Sequence, residues 1–229
     1  MPRRKRSPTD DHVYHVLNRG VRRLVLFETP SDYLAFERVL MQAVQRAGTR
    51  VLAYCAMPNH WHLVVWPTSV NELSCFMQWL TCTHAQRWHA HRGTAGTGAV
   101  YQGRYKAIPV KSDHHLLTVC RYVERNPVRA GLTSSAVAWR WSSLWRRCNY
   151  CHEGLLSEWP LPIPADWPER IDQPQTDAEL EALRWAVRRS APFGDTSWRT
   201  RMAQRLGLDP AFPPCGRPRR TDREGSLVG

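Results

Sequence analysis

The sequence lacks any long apolar segment. No run in its 229 residues approaches the ~18 apolar residues of a candidate membrane-spanning helix. The N-terminus is basic, but polar residues 7–12 follow where a signal peptide would need an apolar region. These absences predict a soluble, cytoplasmic protein that does not act at a membrane.

Cysteine occurs without the spacing of a disulfide framework. Seven cysteines lie at irregular intervals, and in a chain without an export signal we interpret them as reduced thiols. The segment Cys148-Asn149-Tyr150-Cys151-His152 matches the C-x-x-C-H pattern of c-type haem attachment. Such haems are attached outside the cytoplasm, and no second Cys/His pair nearby completes a zinc site. We therefore expect no haem.

Lysine is scarce, and arginine supplies 29 of the 32 positive charges. Arginine suits bidentate phosphate binding, although a GC-rich genome would give the same bias. The net charge of +12 favours a polyanionic partner, nucleic acid before membrane. Residues 1–150 carry a net charge of +13 and residues 151–229 one of −1. The sequence therefore predicts a nucleic-acid-binding surface in the first 150 residues.

Hydrophobic periodicity predicts the element order β-α-β-β-α-β-α. The predicted strands cover residues 13–20, 50–57, 63–66 with the two preceding histidines, and 99–110, and the predicted helices cover 30–46, 71–92 and 113–125. A split β-α-β arrangement of this kind forms an antiparallel sheet with helices packed on one face. We therefore predict an α+β fold with the ferredoxin-like layout, followed by a C-terminal helical extension.

Composition suggests five segments. A basic arm over 1–11 precedes a main domain over 12–150, a proline-rich linker over 151–175, a helical hairpin over 176–208 and a disordered tail over 209–229. Thr176 and Glu179 have the spacing of a capping box that opens the hairpin. A helix-turn-helix DNA reader is an alternative for this hairpin, but its near-neutral charge argues against a strong grip on phosphate.

His60 and His62 are candidate metal ligands. Residues two apart on a strand share a face, so both imidazoles can reach one metal ion while Trp61 turns into the core. Such a pair alone is more often structural than metal-binding. The assignment depends on what other residues join it.

The helix that ends near Arg125 offers a nucleophile and a third ligand. Tyr122, Asn126 and Arg129 are spaced for one helical face. Asn126 offers a carbonyl oxygen to a metal, and Arg129 can meet a phosphate. The alternative is that Tyr122 is a core aromatic residue with its hydroxyl at the surface. Pro127 disfavours helical geometry at Asn126, so the helix is expected to end or kink there.

Four motifs together resemble one family. They are Tyr14-His15-Val16-Leu17-Asn18-Arg19-Gly20, Met57-Pro58-Asn59-His60-Trp61-His62, Gln102-Gly103-Arg104-Tyr105-Lys106 and the stretch from Tyr122 to Gly131. In this order the motifs resemble the REP-associated tyrosine transposases, which are single-tyrosine relatives of the HUH endonucleases. The resemblance covers roughly residues 12–150, and the joint match is much more specific than any single motif.

The resemblance implies an activity and roles for individual residues. His60 and His62 match the His-hydrophobic-His metal motif, Tyr122 matches the nucleophile, and Asn126 matches the polar third ligand. Members of the family cut single-stranded DNA beside repetitive extragenic palindrome (REP) hairpins, forming a 5′-phosphotyrosine and a free 3′-hydroxyl, and they can rejoin strands without ATP. The cofactor implied is Mg²⁺ or Mn²⁺; ligand type suits Mn²⁺, and abundance favours Mg²⁺.

The remaining expectations concern DNA contacts, assembly and rival functions. Six basic residues are candidates for DNA binding: Arg19, Arg104, Lys106, Arg121, Arg125 and Arg129. We expect a monomer, because the longer C-terminus resembles the monomeric subgroup of the family. The chief alternative is a domesticated, non-catalytic protein that binds or represses DNA hairpins. A HUH replication initiator or relaxase is the other alternative, and the short chain without a helicase motif argues against it.

Overall fold

The computed structural model describes residues 12–151 and 154–208. Four strands and eight helices lie within these ranges, together with a single 3-10 turn at Val21–Arg23. The strands are β1 (Val13–Arg19), β2 (Arg50–Met57), β3 (His60–Trp66) and β4 (Lys106–Val110). The helices are α1 (Pro30–Ala47), α2 (Val70–Arg92), α3 (His114–Glu124), α4 (Asn126–Arg129), α5 (Ser143–Cys148), α6 (Trp167–Asp172), α7 (Asp177–Arg189) and α8 (Thr196–Arg205).

The four strands form one antiparallel sheet in the order β2-β3-β1-β4. The two inner strands, β1 and β3, come from opposite ends of the β-α-β-β unit and pair from Tyr14 opposite Val65 to Arg19 opposite His60. This is the strand order of a split β-α-β fold. The predicted α+β class and ferredoxin-like layout are confirmed.

Both faces of the sheet are buried. Side chains alternate along each strand, and one set, which includes Trp61 and Leu63, packs with α1 and α2 around Phe36 and Phe76. The other set, which includes Val64, packs against α3 and the C-terminal helices. Helices on one face were expected, and α1 and α2 meet that expectation. The later helices cover the opposite face, because the inward-facing residues there are also largely apolar.

The ends of α1 show why this helix forms where it does. Thr29 is the N-cap and forms a capping box with Asp32, and Pro30 occupies the first turn, where a missing backbone N–H costs nothing. Gly48 follows the last residue with φ of 72°, the left-handed geometry that glycine adopts without steric cost. These signals fix the helix to 18 residues, long enough to span the sheet.

The strand predicted over 99–110 is shorter than expected. Only Lys106–Val110 is a strand, and residues before it form an irregular loop. Tyr101 in this loop is buried, and its hydroxyl lies 3.0 Å from Trp61 Nε1 and 2.8 Å from His84 Nδ1. Pairing in this segment is limited to an isolated antiparallel bridge between Tyr101 and Gly20, and no continuous strand forms before Lys106.

The C-terminal extension packs on the main domain. The segment interpreted as an extended linker contains α6, and Trp159, Trp167 and Ile171 are buried in the same cluster as α3. Phe193 donates to Pro109 O at 2.8 Å and accepts from Lys111 N at 3.0 Å, so the segment between α7 and α8 covers the outer edge of β4. Prolines break regular structure in this segment, and tryptophans anchor it to the core.

Two of the expected segments, the basic arm over 1–11 and the tail over 209–229, lie outside the described residues. Among the residues that the structure describes, no helix combines the length and apolar character needed to cross a membrane.

Candidate active site

The candidate site lies on the face of the sheet that α3 covers. On this face Leu17 and Arg19 of β1 stand opposite His62 and His60 of β3. Trp61, between the two histidines, faces the other way and is fully buried with α1 and α2. Because β1 and β3 are the inner strands, the backbone that carries both histidines is hydrogen-bonded on both sides and cannot shift without breaking the sheet.

Each histidine makes a hydrogen-bond contact through the same ring nitrogen. His60 Nδ1 lies 2.7 Å from Asn59 Oδ1, and His62 Nδ1 lies 2.9 Å from His15 Nε2. The centroids of the His60 and His62 rings are 5.1 Å apart. These contacts orient both rings and leave Nε2 of each as the nitrogen that can bind a metal ion.

Both histidines are held in the neutral form. Burial lowers the pKa of His60 to about 4, assisted by the positive charges of Arg19 and Arg129. Burial also lowers the pKa of His62 well below its ordinary value, with smaller contributions from His15, His60 and Arg129. A metal binds neutral imidazole, so at neutral pH neither ring carries the additional proton of an imidazolium that would block a cation.

Tyr122 stands over these histidines from α3. Its ring centroid lies 6.0 Å from the centroids of both His62 and His15, in edge-on arrangements. Arg129 covers the Tyr122 ring, with Cζ 4.0 Å from the centroid. The Tyr122 side chain is 8% exposed. The tyrosine, the histidine pair and a guanidinium group thus meet at one place on the sheet.

Asn126 and Arg129 follow Tyr122 across the predicted helix break. Helix α3 ends at Glu124 and α4 begins at Asn126, with Pro127 in its first turn. Arg129 N still donates to Arg125 O at 3.0 Å, so the chain keeps a helical course. Asn126 Oδ1 accepts from Arg129 Nη2 at 2.8 Å. Within the described residues, Asn126 Nδ2 and Arg129 Nη1 are buried without a partner.

Sequence reasoning missed two residues of the site. His15 contacts His62, and Cys55 of β2 stands opposite His62 in the sheet register. Both are buried. The sequence offers a weak signal for His15, since it belongs to the first motif, but its contact depends on the β1–β3 register across 47 residues. No local pattern places Cys55 there.

Three of the sequence motifs meet at the turn that carries the histidines. Gly20 N donates to Asn59 O at 2.9 Å, and Asn18 Nδ2 donates to Gly103 O at 3.2 Å. Arg19 donates to Gln102 Oε1 at 2.9 Å. A Cβ at Gly20 would lie 2.3 Å from the Leu24 carbonyl oxygen, so only glycine fits. The motifs hold the β2–β3 turn, and with it His60, in place.

The six predicted basic residues fall into two groups. Arg19 and Arg104 have exposed side chains near the β2–β3 turn. Arg19 also donates to Gln102 Oε1. The other four donate to the C-terminal segment or to a neighbouring side chain: Lys106 Nζ to Val187 O, Arg121 to Gln173 O and Pro174 O, Arg125 to Ile171 O and Asp172 O, and Arg129 to Asn126. Arg121 and Arg125 thus tie α3 to the C-terminal end of α6.

A separate group of possible metal ligands lies at the start of α3. Among the described residues, Asp113, His114 and His115 form the one cluster of three such side chains. His115 Nδ1 lies 2.7 Å from Asp113 Oδ1, and Lys111 Nζ lies 2.8 Å from Asp113 Oδ2. The Asp113 carboxylate therefore already forms an ion pair with the ammonium group of Lys111. Tyr122 lies seven residues further along, about 10 Å on an α-helix, so this cluster is distinct from the histidine pair.

Two solved structures of transposases match the structure of this chain. A REP-associated tyrosine transposase bound to a REP hairpin matches with a TM-score of 0.54 and 12% identity, over 72% of this chain and 96% of that one. A proposed transposase from Deinococcus radiodurans R1 matches with a TM-score of 0.38 and 18% identity, over 54% of this chain and 96% of that one.

Comparison with sequence families identifies the chain. No curated protein matches it. The model of the IS200-like transposase family matches residues 9–126. This match covers half of the chain and includes the histidine pair, Tyr122 and Asn126. The resemblance drawn from the sequence motifs is confirmed, and the chain belongs to the IS200-like transposase family.

Proposed function

We propose that this transposase is a metal-dependent, single-stranded DNA endonuclease and strand transferase that cuts beside REP-like hairpins through a 5′-phosphotyrosine intermediate. Tyr122 is the nucleophile, and His60 and His62 hold the metal ion with Asn126 as third ligand. The observation that carries the proposal is that Tyr122 lies beside the neutral histidine pair. The centroid of its ring is 6.0 Å from that of His62.

The residues present fit a divalent cation. Two neutral imidazoles leave Nε2 free for a ligand bond, and Asn126 adds a carbonyl oxygen that already accepts from Arg129 and has a second lone pair. Two nitrogens and one oxygen suit Mn²⁺, and Mg²⁺ is the more abundant ion. When bound, the cation would neutralise charge on the scissile phosphate.

The reaction proposed for Tyr122 is a transesterification. The phenol oxygen attacks the scissile phosphorus in line, the bond to the 3′-oxygen breaks, and the 3′-hydroxyl leaves while the 5′-phosphate stays on Tyr122. A second DNA 3′-hydroxyl can reverse this step and join a new strand. Because one phosphodiester replaces another, no ATP is required.

Arg129 is the residue best placed to hold the scissile phosphate. Its guanidinium group lies over the Tyr122 ring, and one of its nitrogens, Nη1, is buried without a partner among the described residues. Buried donors are nearly always satisfied, so a ligand oxygen is the natural acceptor. The orphan Nδ2 of the neighbouring Asn126 points to the same conclusion.

Hairpin DNA would approach the exposed arginines. Arg19 and Arg104 flank the β2–β3 turn and are proposed as phosphate contacts. The matched solved structure is described as bound to a REP hairpin, which supports a hairpin ligand here. Lys106, Arg121 and Arg125 are also proposed as DNA contacts, which requires them to exchange carbonyl acceptors of the C-terminal segment for phosphate oxygens.

We further propose that the protein acts as a monomer. The histidines, Tyr122 and Arg129 of the site all belong to one chain, and α3 packs on the same sheet that carries the histidines. Mixing Tyr122→Phe with His60→Ala protein tests this point directly. If sites were shared between subunits, the mixture would regain cleavage, and a monomer predicts that it stays inactive.

The function is tested with a labelled single-stranded hairpin oligonucleotide in Mg²⁺ or Mn²⁺. Wild-type protein should cleave it beside the hairpin and form a covalent adduct, whereas Tyr122→Phe should bind the same DNA without cutting. His60→Ala and His62→Ala should lose cleavage together with Mn²⁺ binding. Equal cleavage by Tyr122→Phe would overturn the assignment, and wild-type binding without cleavage would favour a hairpin-binding repressor.

A further inference from the structure

His15 is the buried neighbour of His62. It lies on β1 two residues before Leu17 and on the same face; Leu17 stands opposite His62, so His15 meets that ring along the diagonal of the strand pair. His15 Nε2 lies 2.9 Å from His62 Nδ1, and the two rings stack with centroids 5.1 Å apart and planes 24° from parallel. Both side chains are almost fully buried, at 1% and 4% exposure.

The short contact requires one proton between the two rings. Two unprotonated nitrogens 2.9 Å apart would repel each other, so one of them must donate. A neutral imidazole carries a single N–H. Either His62 Nδ1–H donates to His15, or His15 Nε2–H donates to His62.

Only the first arrangement prepares His62 for a metal. If His62 carries its proton on Nδ1, its Nε2 lone pair is free to bind a cation. If His62 instead accepts at Nδ1, its proton lies on Nε2 and must leave before metal binds. His60 shows the same pattern, because Asn59 Oδ1, 2.7 Å from His60 Nδ1, has no proton to give, and this places the His60 proton on Nδ1.

We propose that His15 is a positioning residue that accepts the Nδ1–H of His62 and so fixes the orientation and tautomer in which His62 presents Nε2 to the metal ion. This inference rests on the proposed function, in which His62 is a metal ligand. Outer partners of this kind hold metal-binding histidines in many sites, usually with an oxygen acceptor. Here the acceptor is a second histidine, which carries its own proton on Nδ1.

The stacked geometry also offers a purely structural account of His15, as an aromatic filler beneath Tyr122. The two accounts differ over the acceptor atom. Phenylalanine would keep the ring and its stacking but offer no acceptor, whereas glutamine would place an amide oxygen near the position of the histidine Nε2. His15→Phe and His15→Gln therefore form a matched pair of variants.

The first test is the tautomer of His62 in metal-free, full-length protein labelled with ¹⁵N-histidine. Long-range ¹H–¹⁵N spectra at neutral pH distinguish Nδ1–H from Nε2–H rings, and the His15→Gln and His62→Gln variants assign the two signals. The proposal predicts the Nδ1–H tautomer for both His15 and His62. An Nε2–H tautomer at His62 in the wild-type protein would overturn it, whatever the variants do.

The second test is Mn²⁺ affinity, measured by electron paramagnetic resonance without DNA. His15→Phe should weaken binding about 10- to 100-fold, and His15→Gln should restore most of the loss at unchanged thermal stability. Equal affinities of the two variants and wild type would show that His15 only fills space. Equal Mn²⁺ affinities of His62→Ala and wild-type protein would instead overturn the proposed metal site and leave the tautomer result standing.

Discussion

The two faces of the sheet are built from alternate residues of the same strands, yet they differ in how their polar groups are satisfied. On the α1–α2 face the Tyr101 hydroxyl accepts from Trp61 Nε1 and contacts His84 Nδ1, so that these three polar groups satisfy one another through a connected chain beside phenylalanine rings. On the α3 face, Asn126 Nδ2 and Arg129 Nη1 are buried without partners.

We interpret this difference in hydrogen bonding as the difference between a structural core and a proposed ligand-binding site. A closed network stabilises a fold, while orphaned donors cost free energy until something accepts from them. We therefore interpret the α1–α2 face as a structural core, and the orphaned donors of Asn126 and Arg129 as part of the proposed site on the α3 face. Since β1 and β3 serve both faces, the core fixes the backbone on which the site depends.

The largest effect is expected from opening a cavity on the structural face. Phe36 is fully buried and packs against Phe27, Trp61 and His84. Phe36→Ala should lower the free energy of unfolding by about 3–5 kcal/mol, as measured by urea denaturation, and leave the Mn²⁺ affinity of the folded protein unchanged. Phe36→Leu is the conservative control, with a smaller loss of stability. A parallel loss of Mn²⁺ affinity would break the distinction between the two faces.

A slightly smaller loss of stability is expected when the pH is lowered, because His84 is buried in its neutral form. Burial lowers its pKa to about 4 in the folded chain, against about 6.5 when unfolded. Between these pH values the unfolded state binds a proton at His84 and the folded state does not. The free energy of unfolding therefore falls by about 3 kcal/mol for this group as the pH falls from about 6.5 to 4. His84→Gln should flatten the dependence of unfolding free energy on pH without changing Mn²⁺ affinity at neutral pH. An unchanged slope would contradict the burial argument.

The smallest expected effects distinguish two of the predicted basic residues, Arg125 and Arg104. Arg125 donates to the last carbonyls of α6 at 2.6 and 3.2 Å, so Arg125→Ala should cost about 1–2 kcal/mol of stability. Exposed Arg104 should instead affect DNA alone: Arg104→Ala should weaken hairpin binding and lower the slope of log affinity against log salt by about 1, at unchanged stability. Denaturation and salt titration measure the two effects. A loss of stability in Arg104→Ala, with a loss of DNA affinity alone in Arg125→Ala, would contradict both assignments.

Local periodicity was sufficient to predict the fold class and to place the candidate site residues on shared faces, whereas their proposed roles came from the family resemblance. His60 and His62 share a face because strands have a period of two, and Tyr122, Asn126 and Arg129 share one because helices have a period near four. The ferredoxin-like strand order also follows from the order of elements along the chain. These features depend on residues close in sequence, which a single chain reveals without its structure.

Features that depend on distant contacts could not be predicted. The contact between His15 and His62 requires the register of β1 against β3, and nothing local in the sequence fixes that register. The C-terminal segment was interpreted as a linker because of its prolines, but burial of Trp159 and Trp167 anchors it to the core. The predicted strand over 99–110 is too long, because residues before Lys106 are held by contacts with residues distant in sequence rather than by a continuous strand.

The central claim is that Tyr122 attacks DNA on the unsatisfied face of the sheet, and peptide mapping of the covalent adduct tests it most directly. Wild-type protein is incubated with a hairpin oligonucleotide and Mn²⁺, then digested with trypsin and nuclease. Cleavage after Arg121 and Arg125 releases the peptide Tyr122-Val123-Glu124-Arg125. The account predicts that this peptide carries a 5′-phosphonucleotide on Tyr122, and an adduct on any other tyrosine, or one that survives in Tyr122→Phe, would contradict it.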